Sequence, residues 1–221
     1  MVGKRSYEDG CAAAHALDVL GERWALLVVR ELLLGPKRFT DLRAGLPGIS
    51  PNVLTQRLGE LEAAGVVQRR RLPPPAGAGV YELTAWGREL ESIILALGRW
   101  GARSPQRKPG LPLGVDSLVL SWRTMFDAER AAGVSGTVEL HIAGQVYHAR
   151  LDNAEMRLLR GAAQEADAVL TGDVAAFVAV VYEGLRFNDA LRDGSLAVSG
   201  DKPLAKRFLG LFPLPQAATS A

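Results

Sequence analysis

Between Ile49 and Leu83 the chain reads ISPNVLTQRLGELEAAGVVQRRRLPPPAGAGVYEL, and this stretch constrains the fold more than any other. Ser50 predicts a helix N-cap, because its hydroxyl can accept a hydrogen bond from a backbone N–H of the first turn. Pro51 suits the first helical position, where its missing N–H would have no intrahelical partner in any case. Leu54, Leu58 and Leu61 recur at i, i+4 and i+7 and mark one buried stripe. Gly65 is placed to stop the helix in a left-handed conformation. Asn52, Gln56 and Gly59 lie opposite the leucines, with Val53, Thr55 and Arg57 on the flanks. That face is polar, short-chained and almost free of acid. Asn and Gln can bond adenine bidentately in the major groove of DNA, and Arg favours guanine or phosphate. Arg69, Arg70 and Arg71 then open a strand, a Pro/Gly loop follows, and Val80 to Leu83 returns as a second strand. A polar-faced helix followed by a basic hairpin predicts a winged helix-turn-helix. The plainer reading is a surface helix packed beside a hairpin.

The residues upstream fit the first reading. Positions 11–20 and 22–34 read as two helices broken near Gly21, and Gly35-Pro36 ends the second. Lys37 and Arg38 fall in a loop. Thr40 is expected to cap a short helix at Phe39-Thr40-Asp41-Leu42, and Leu46-Pro47-Gly48 makes the turn before the polar-faced helix. Two short helices joined by a Gly-containing turn form a helix-turn-helix. The expected DNA contacts are Lys37, Arg38, Thr40, Ser50, Pro51, Asn52, Val53, Thr55, Gln56, Arg57, Arg69, Arg70 and Arg71. After the hairpin, Thr84 can cap a long helix whose Trp86, Leu90, Ile93, Ile94, Leu97 and Trp100 share one stripe. Such a stripe is too bulky for a helix lying on a small domain unless something covers it. A second copy of the chain is the expected cover, because palindromic DNA sites call for two-fold symmetric readers. The chain's own first helices or its second domain are the alternatives.

Charge divides the chain. Residues 1–108 hold 16 Lys/Arg against 11 Asp/Glu, whereas residues 109–221 hold 10 against 13. A basic first half suits a polyanionic partner. The single cysteine, Cys11, excludes an internal disulfide framework and a multi-cysteine zinc site. The polar opening MVGKRSYEDG carries no signal-peptide pattern, and no apolar run spans a bilayer, so a cytoplasmic protein without a membrane partner is expected. The 221 residues divide into an expected DNA-binding and dimerisation domain at 1–103, a Pro/Gly-rich linker at 104–114 and a second domain at 115–215.

The second domain reads as α+β. A helix carries Leu118, Trp122, Met125 and Phe126. Strands run through Val138, Leu140 and Ile142, then Tyr147, Ala149 and Leu151, and again over 168–171 and 196–199. Asp173 and Asp201 are expected helix caps, the first before Val174, Phe177, Val178 and Val181, the second before Leu204, Phe208, Leu211 and Phe212. His141 and His148 are expected as cross-strand neighbours about the Ala143-Gly144 turn.

Two resemblances follow from these stretches. Cys11 followed by ALDVLGERWALLVVRELLLGPKRFTDL (Ala16 to Leu42), then GISPNVLTQRLGELEAAGVV (Gly48 to Val67), then the prolines and VYELTAWGREL, resembles the HxlR family of winged-helix regulators, a branch near MarR. The resemblance implies a homodimeric transcription regulator that binds double-stranded operator DNA. Asn52 stands where the family often carries a basic residue. The wing tip, Pro73 to Gly79, lacks the family's arginine, which leaves the basic contacts to Arg69–Arg71 at its base. The stretches ADAVLTGDVAAFVAVVYEG (Ala166 to Gly184), ALRDGSLAVSGD (Ala190 to Asp201) and LAKRFLGLF (Leu204 to Phe212) resemble a sterol-carrier-protein domain. That likeness implies helices and a sheet around an apolar tunnel and a hydrophobic small-molecule effector. Trp122, Phe126, Leu140, Tyr147, His148, Phe177, Val181 and Phe208 are its expected contacts. The alternative is an interior filled by side chains.

Catalytic chemistry has little to stand on. The histidines lack metal-ligand spacing with carboxylates, no serine sits on a nucleophile turn, and no phosphate loop or paired carboxylates are present. Neither an enzyme nor a cofactor is expected. Cys11 at a helix start has a position that lowers thiol pKa values. Cysteine there resembles redox-sensing members of the family, with a plain small residue as the alternative. Two functions remain: a DNA-binding regulator tuned by an apolar molecule, or a lipid-binding or interaction module whose winged helix pairs with protein.

Overall fold

The computed structural model describes residues 6–73, 77–108 and 110–219. Two compact units divide the chain, Met1–Ile94 and Leu95–Ala221. Residues 104–114 contain no helix or strand among those described.

In the first unit, α1 (Ala12–Leu20) and α2 (Ala25–Leu32) are followed by α3 (Phe39–Gly45) and α4 (Pro51–Ala63). Strands β1 (Val67–Arg71) and β2 (Gly79–Leu83) pair antiparallel, with Val67 opposite Leu83 and Arg71 opposite Gly79. The Ser50 hydroxyl caps α4 by accepting from Val53 N–H at 3.3 Å, with Pro51 at the first position. Gly65 has φ +75°, the left-handed stop that the sequence predicts. Thr40 is not the cap of α3: the helix begins at Phe39, and Asp41 accepts from the Arg38 N–H at 3.3 Å instead. Leu42, Leu54, Leu58 and Leu61 meet Val28, Val29 and Leu32 in one buried core, closed by Val66, Val67 and Leu83 of the hairpin.

Helix α5 (Ala85–Ala102) starts on Thr84, whose hydroxyl accepts from Gly87 N–H at 3.0 Å and donates to Gly65 O at 2.7 Å. Gly87 is required there, because a Cβ would collide with the Val66 carbonyl oxygen. The division between units falls inside α5. The C-terminal half of the helix bonds within the second unit, where Arg99 donates to Thr124 O at 3.2 Å.

The second unit holds α6 (Val115–Met125), β3 (Gly136–Ile142), β4 (Gln145–Asp152), β5 (Glu155–Arg160), β6 (Ala168–Gly172), α7 (Val174–Tyr182), α8 (Phe187–Arg192), β7 (Leu196–Gly200) and α9 (Lys202–Leu209). The sheet order is β5-β4-β3-β6-β7, with β3 and β6 parallel and the other neighbours antiparallel. Asp173 and Asp201 cap α7 and α9 as expected. The edge strand β5 has no counterpart in the sequence reading. Its residues EMRLLR show no clean alternation, and its pairing to β4 supplies what its pattern lacks.

Candidate nucleic-acid interface and second-domain interior

The exposed face of α4 presents Pro51, Asn52, Thr55 and Gln56, with Val53 half-buried beside them. Capping by Ser50 and packing of the leucine stripe hold this face outward. Arg38 and Thr40 at the start of α3 are also exposed.

Two expected contacts point elsewhere. Lys37 is drawn inward: its Nζ lies 2.5 Å from the carboxylate of Glu31, which is 2% exposed and also pairs with Arg30 at 2.9 Å. The Lys37 backbone exchanges hydrogen bonds with Tyr81 on β2, at 3.0 and 2.8 Å. Lys37 therefore docks the wing onto α2. Arg57 is likewise buried, and its guanidinium binds Glu60 on its own helix and lies 3.5 Å from Glu22. A buried cation needs carboxylate partners more than it needs a solvent-facing position.

The three arginines of β1 alternate across the strand, so they do not form one basic row. Arg69 lies 3.0 Å from Glu62 and stacks over Tyr81 at 5.1 Å. Arg70 pairs with Glu82 at 2.9 Å, and Arg71 donates to Gly77 O at 3.0 Å. All three remain exposed. Arg38 and Arg71 have no carboxylate partner among the described residues. The reading of an uncharged wing tip falls partly on residues 74–76, which lie outside the described residues.

The stripe on α5 divides along its length. Leu90 and Ile94 lie at one edge, half-buried, and pack against the first unit's core. Trp86, Ile93, Leu97 and Trp100 are left 48–72% exposed. At the other end of the first unit, Cys11 is an exposed free thiol at the N-terminus of α1. The backbone N–H groups of Ala14 and then Ala13 hold its pKa below the ordinary thiol value.

In the second unit, Trp122, Leu140, Tyr147, Phe177 and Phe208 are buried, with Phe126 and Val181 half-buried. The aromatic rings of this interior meet one another: the Trp122 ring centroid lies 5.6–5.7 Å from those of Phe177, Phe208 and Phe212. The Trp122 indole N–H is buried and has no acceptor among the described residues. His148 is on the opposite face of the sheet from Tyr147 and bonds the Gly161 carbonyl oxygen at 2.9 Å, so it cannot orient a molecule inside. It also stands across from Glu139, not His141, whose partner is Val146. His141 bonds Glu139 at 2.7 Å, which holds the Glu139 carboxyl below its usual range. Among the described residues no group of three His, Cys, Asp or Glu is placed to hold a metal.

A polar cluster inside this unit has no signal in the sequence pattern. Asp116, in the first turn of α6, is 4% exposed and accepts from the Tyr147 hydroxyl and the Arg160 guanidinium. Gln145 joins it, its Oε1 accepting from Arg160 at 2.7 Å and lying 2.8 Å from the Tyr147 hydroxyl oxygen. The register of β4 with β5 and the packing of α6 on the sheet bring these four residues together. Glu60 does have such a signal: its position four residues after Gln56 is legible in the helix spacing.

The family profile described as HxlR-like helix-turn-helix matches residues 19–109. A second profile, alkyl sulfatase C-terminal, a relative of the sterol-carrier fold, matches residues 113–218. An HTH-type transcriptional regulator of Synechocystis is 38% identical over 98 residues, 43% of this chain and 73% of that protein. The regulator YodB of Bacillus subtilis is 36% identical over 85 residues, 38% of this chain and 76% of that one. The sec-alkyl sulfatase PisA1, in its S233Y F250G form, is 19% identical with a TM-score of 0.41, covering 49% of this chain and 17% of that one.

Proposed function

The chain belongs to the HxlR-like helix-turn-helix family, and from that premise we propose that it is a transcriptional regulator that reads double-stranded operator DNA as a cytoplasmic homodimer. It acts by binding, not by catalysis. The observation that carries this reading is the outward face of α4, where Asn52, Thr55 and Gln56 stand exposed on a capped helix beside Arg38. Side-chain amides give base choice and the arginines give affinity through phosphate. The second copy pairs through the apolar side of α5. Among the described residues no helix is long and apolar enough to cross a membrane.

The test starts from a duplex selected by the protein from random DNA. Gln56→Ala costs about 1–3 kcal/mol on the selected duplex and little on scrambled DNA. Arg71→Ala weakens both and makes the salt dependence shallower by about one unit. Equal losses for Gln56→Ala on both duplexes would sink the assignment.

The Cys11 thiol supports a second role. An exposed thiol whose pKa is lowered by helix N–H groups reacts more readily as thiolate. Cys11 is accordingly a sensor of oxidants or electrophiles. A mild oxidant releases DNA from the wild-type protein and not from Cys11→Ser; release from both removes Cys11 from the mechanism.

The second domain binds an apolar effector with an oxygen acceptor, which the buried Trp122 N–H would satisfy. Binding shifts operator affinity, since linkage is reciprocal. A fatty-acid series followed by thermal shift, then titrated into the DNA complex, tests this. Without any shift, the aromatic interior is only a core. The alternative, a lipid-binding module whose winged helix meets protein, rests on this same donor and predicts no selected duplex at all.

A further inference from the structure

Gln56 is not an isolated side chain on the surface of α4. Its Nε2 donates to Glu60 Oε1 at 3.0 Å, and Arg57 donates to the other oxygen of that carboxylate. Arg57 Nη2 in turn lies 3.5 Å from Glu22 Oε2 in the turn between α1 and α2. Only Gln56 and Glu22 of these four are exposed. The turn itself is held tightly: Trp24 adopts φ +79°, a left-handed conformation costly for a bulky residue, and packs on the first unit's core. Arg23 covers the Trp24 ring at 5.3 Å.

We propose that Glu22, Arg57 and Glu60 form a relay that positions the Gln56 amide, so that base choice depends on residues that never touch DNA. The inference rests on the DNA-reading function above. A glutamine amide has two N–H groups and one carbonyl oxygen. One N–H can stay on Glu60 while the other, with Oε1, meets adenine bidentately. Holding a flexible side chain in that pose before binding removes an ordering cost that recognition would otherwise bear. Arg57 makes the arrangement tolerable near phosphate, because a bare carboxylate beside the reading face would repel the backbone. Glu22 supplies the second carboxylate and ties the relay to the rigid Trp24 turn. Arg57 is thus a positioning residue rather than the phosphate contact its place in the sequence suggests.

The experiment compares affinities of the full-length protein for the selected duplex and its scrambled counterpart, by fluorescence anisotropy at several salt concentrations. Glu60→Ala is expected to lower the ratio of the two affinities on the order of tenfold, within the range for residues coupled in one network. Glu22→Ala, an exposed change that leaves Arg57 paired with Glu60, lowers it by less. Glu60→Gln retains an acceptor for Gln56 and keeps most of the ratio. In a Gln56→Ala background the Glu60 and Glu22 substitutions leave the ratio unchanged. A plain charge effect gives a different pattern: Glu60→Ala and Glu60→Gln tighten both duplexes alike with the ratio intact, and that result overturns the relay. A wild-type protein that shows no preference between the duplexes overturns the DNA-reading function, and the relay with it.

Discussion

Ile93→Glu is expected to turn the proposed homodimer into a monomer of 23.6 kDa that keeps its fold. Ile93 is 55% exposed on α5, beside Trp86, Leu97 and Trp100. A glutamate there meets water in the monomer and suits a helix. In a dimer paired through this face it would be an unpaired charge in an apolar contact, a cost of several kcal/mol. Light scattering reads the mass directly. Operator affinity should fall on the order of a hundredfold, because a monomer reads one half-site and loses the gain of a tethered second one. A dimer of unchanged strength would show that the exposed side of α5 is not the subunit contact. Leu90→Glu is the contrasting variant: it places the charge against the core and is expected to unfold the first unit instead.

Glu31→Ala should be the most destabilising single change among the charged residues of the first unit. Its carboxylate is 2% exposed and serves both Lys37, whose side chain is 13% exposed, and Arg30. Removing it withdraws a carboxylate from two cations held largely out of water, and breaking a buried pair from one side costs about 3–5 kcal/mol. The loss also loosens the junction between α2 and the wing, because Lys37 is bonded through its backbone to Tyr81. Urea denaturation gives the stability change, and the double variant Glu31→Ala/Lys37→Met should recover part of it. A change below about 1 kcal/mol would mean that the pair behaves as an exposed one. Space is equally tight around this carboxylate: a side chain at Gly45 would collide with it, so Gly45→Ala should destabilise in the same assay.

Both predictions concern residues whose roles the sequence named only in part. The α5 stripe was legible as apolar, but six residues on one helical stripe do not say which edge is covered. Packing against Leu83 and the first unit's core takes Leu90 and Ile94, and leaves Trp86, Ile93, Leu97 and Trp100 outside. Glu31 stands beside Arg30 in the otherwise apolar run LLVVRELLL. Its burial is comprehensible only once Lys37 is brought to it by the bridge to Tyr81.

Local signals by themselves determined α4, its Ser50 cap, its Gly65 stop and the hairpin that follows, because caps, helical spacing and turn residues act over a few positions. They also determined the α+β character of the second half and the caps at Asp173 and Asp201. Only the tertiary structure decided how the charges are shared. Lys37 goes to Glu31, Arg57 to Glu60 and Glu22, Arg69 to Glu62, and Arg70 to Glu82. It likewise decided that β5 pairs at the sheet edge, that His148 faces away from the interior, and that Asp116 meets Arg160 across 44 residues. The reason is physical: a cap or a helical stripe is satisfied within its own turn, whereas a buried charge takes whichever partner the packed chain brings within a few ångströms.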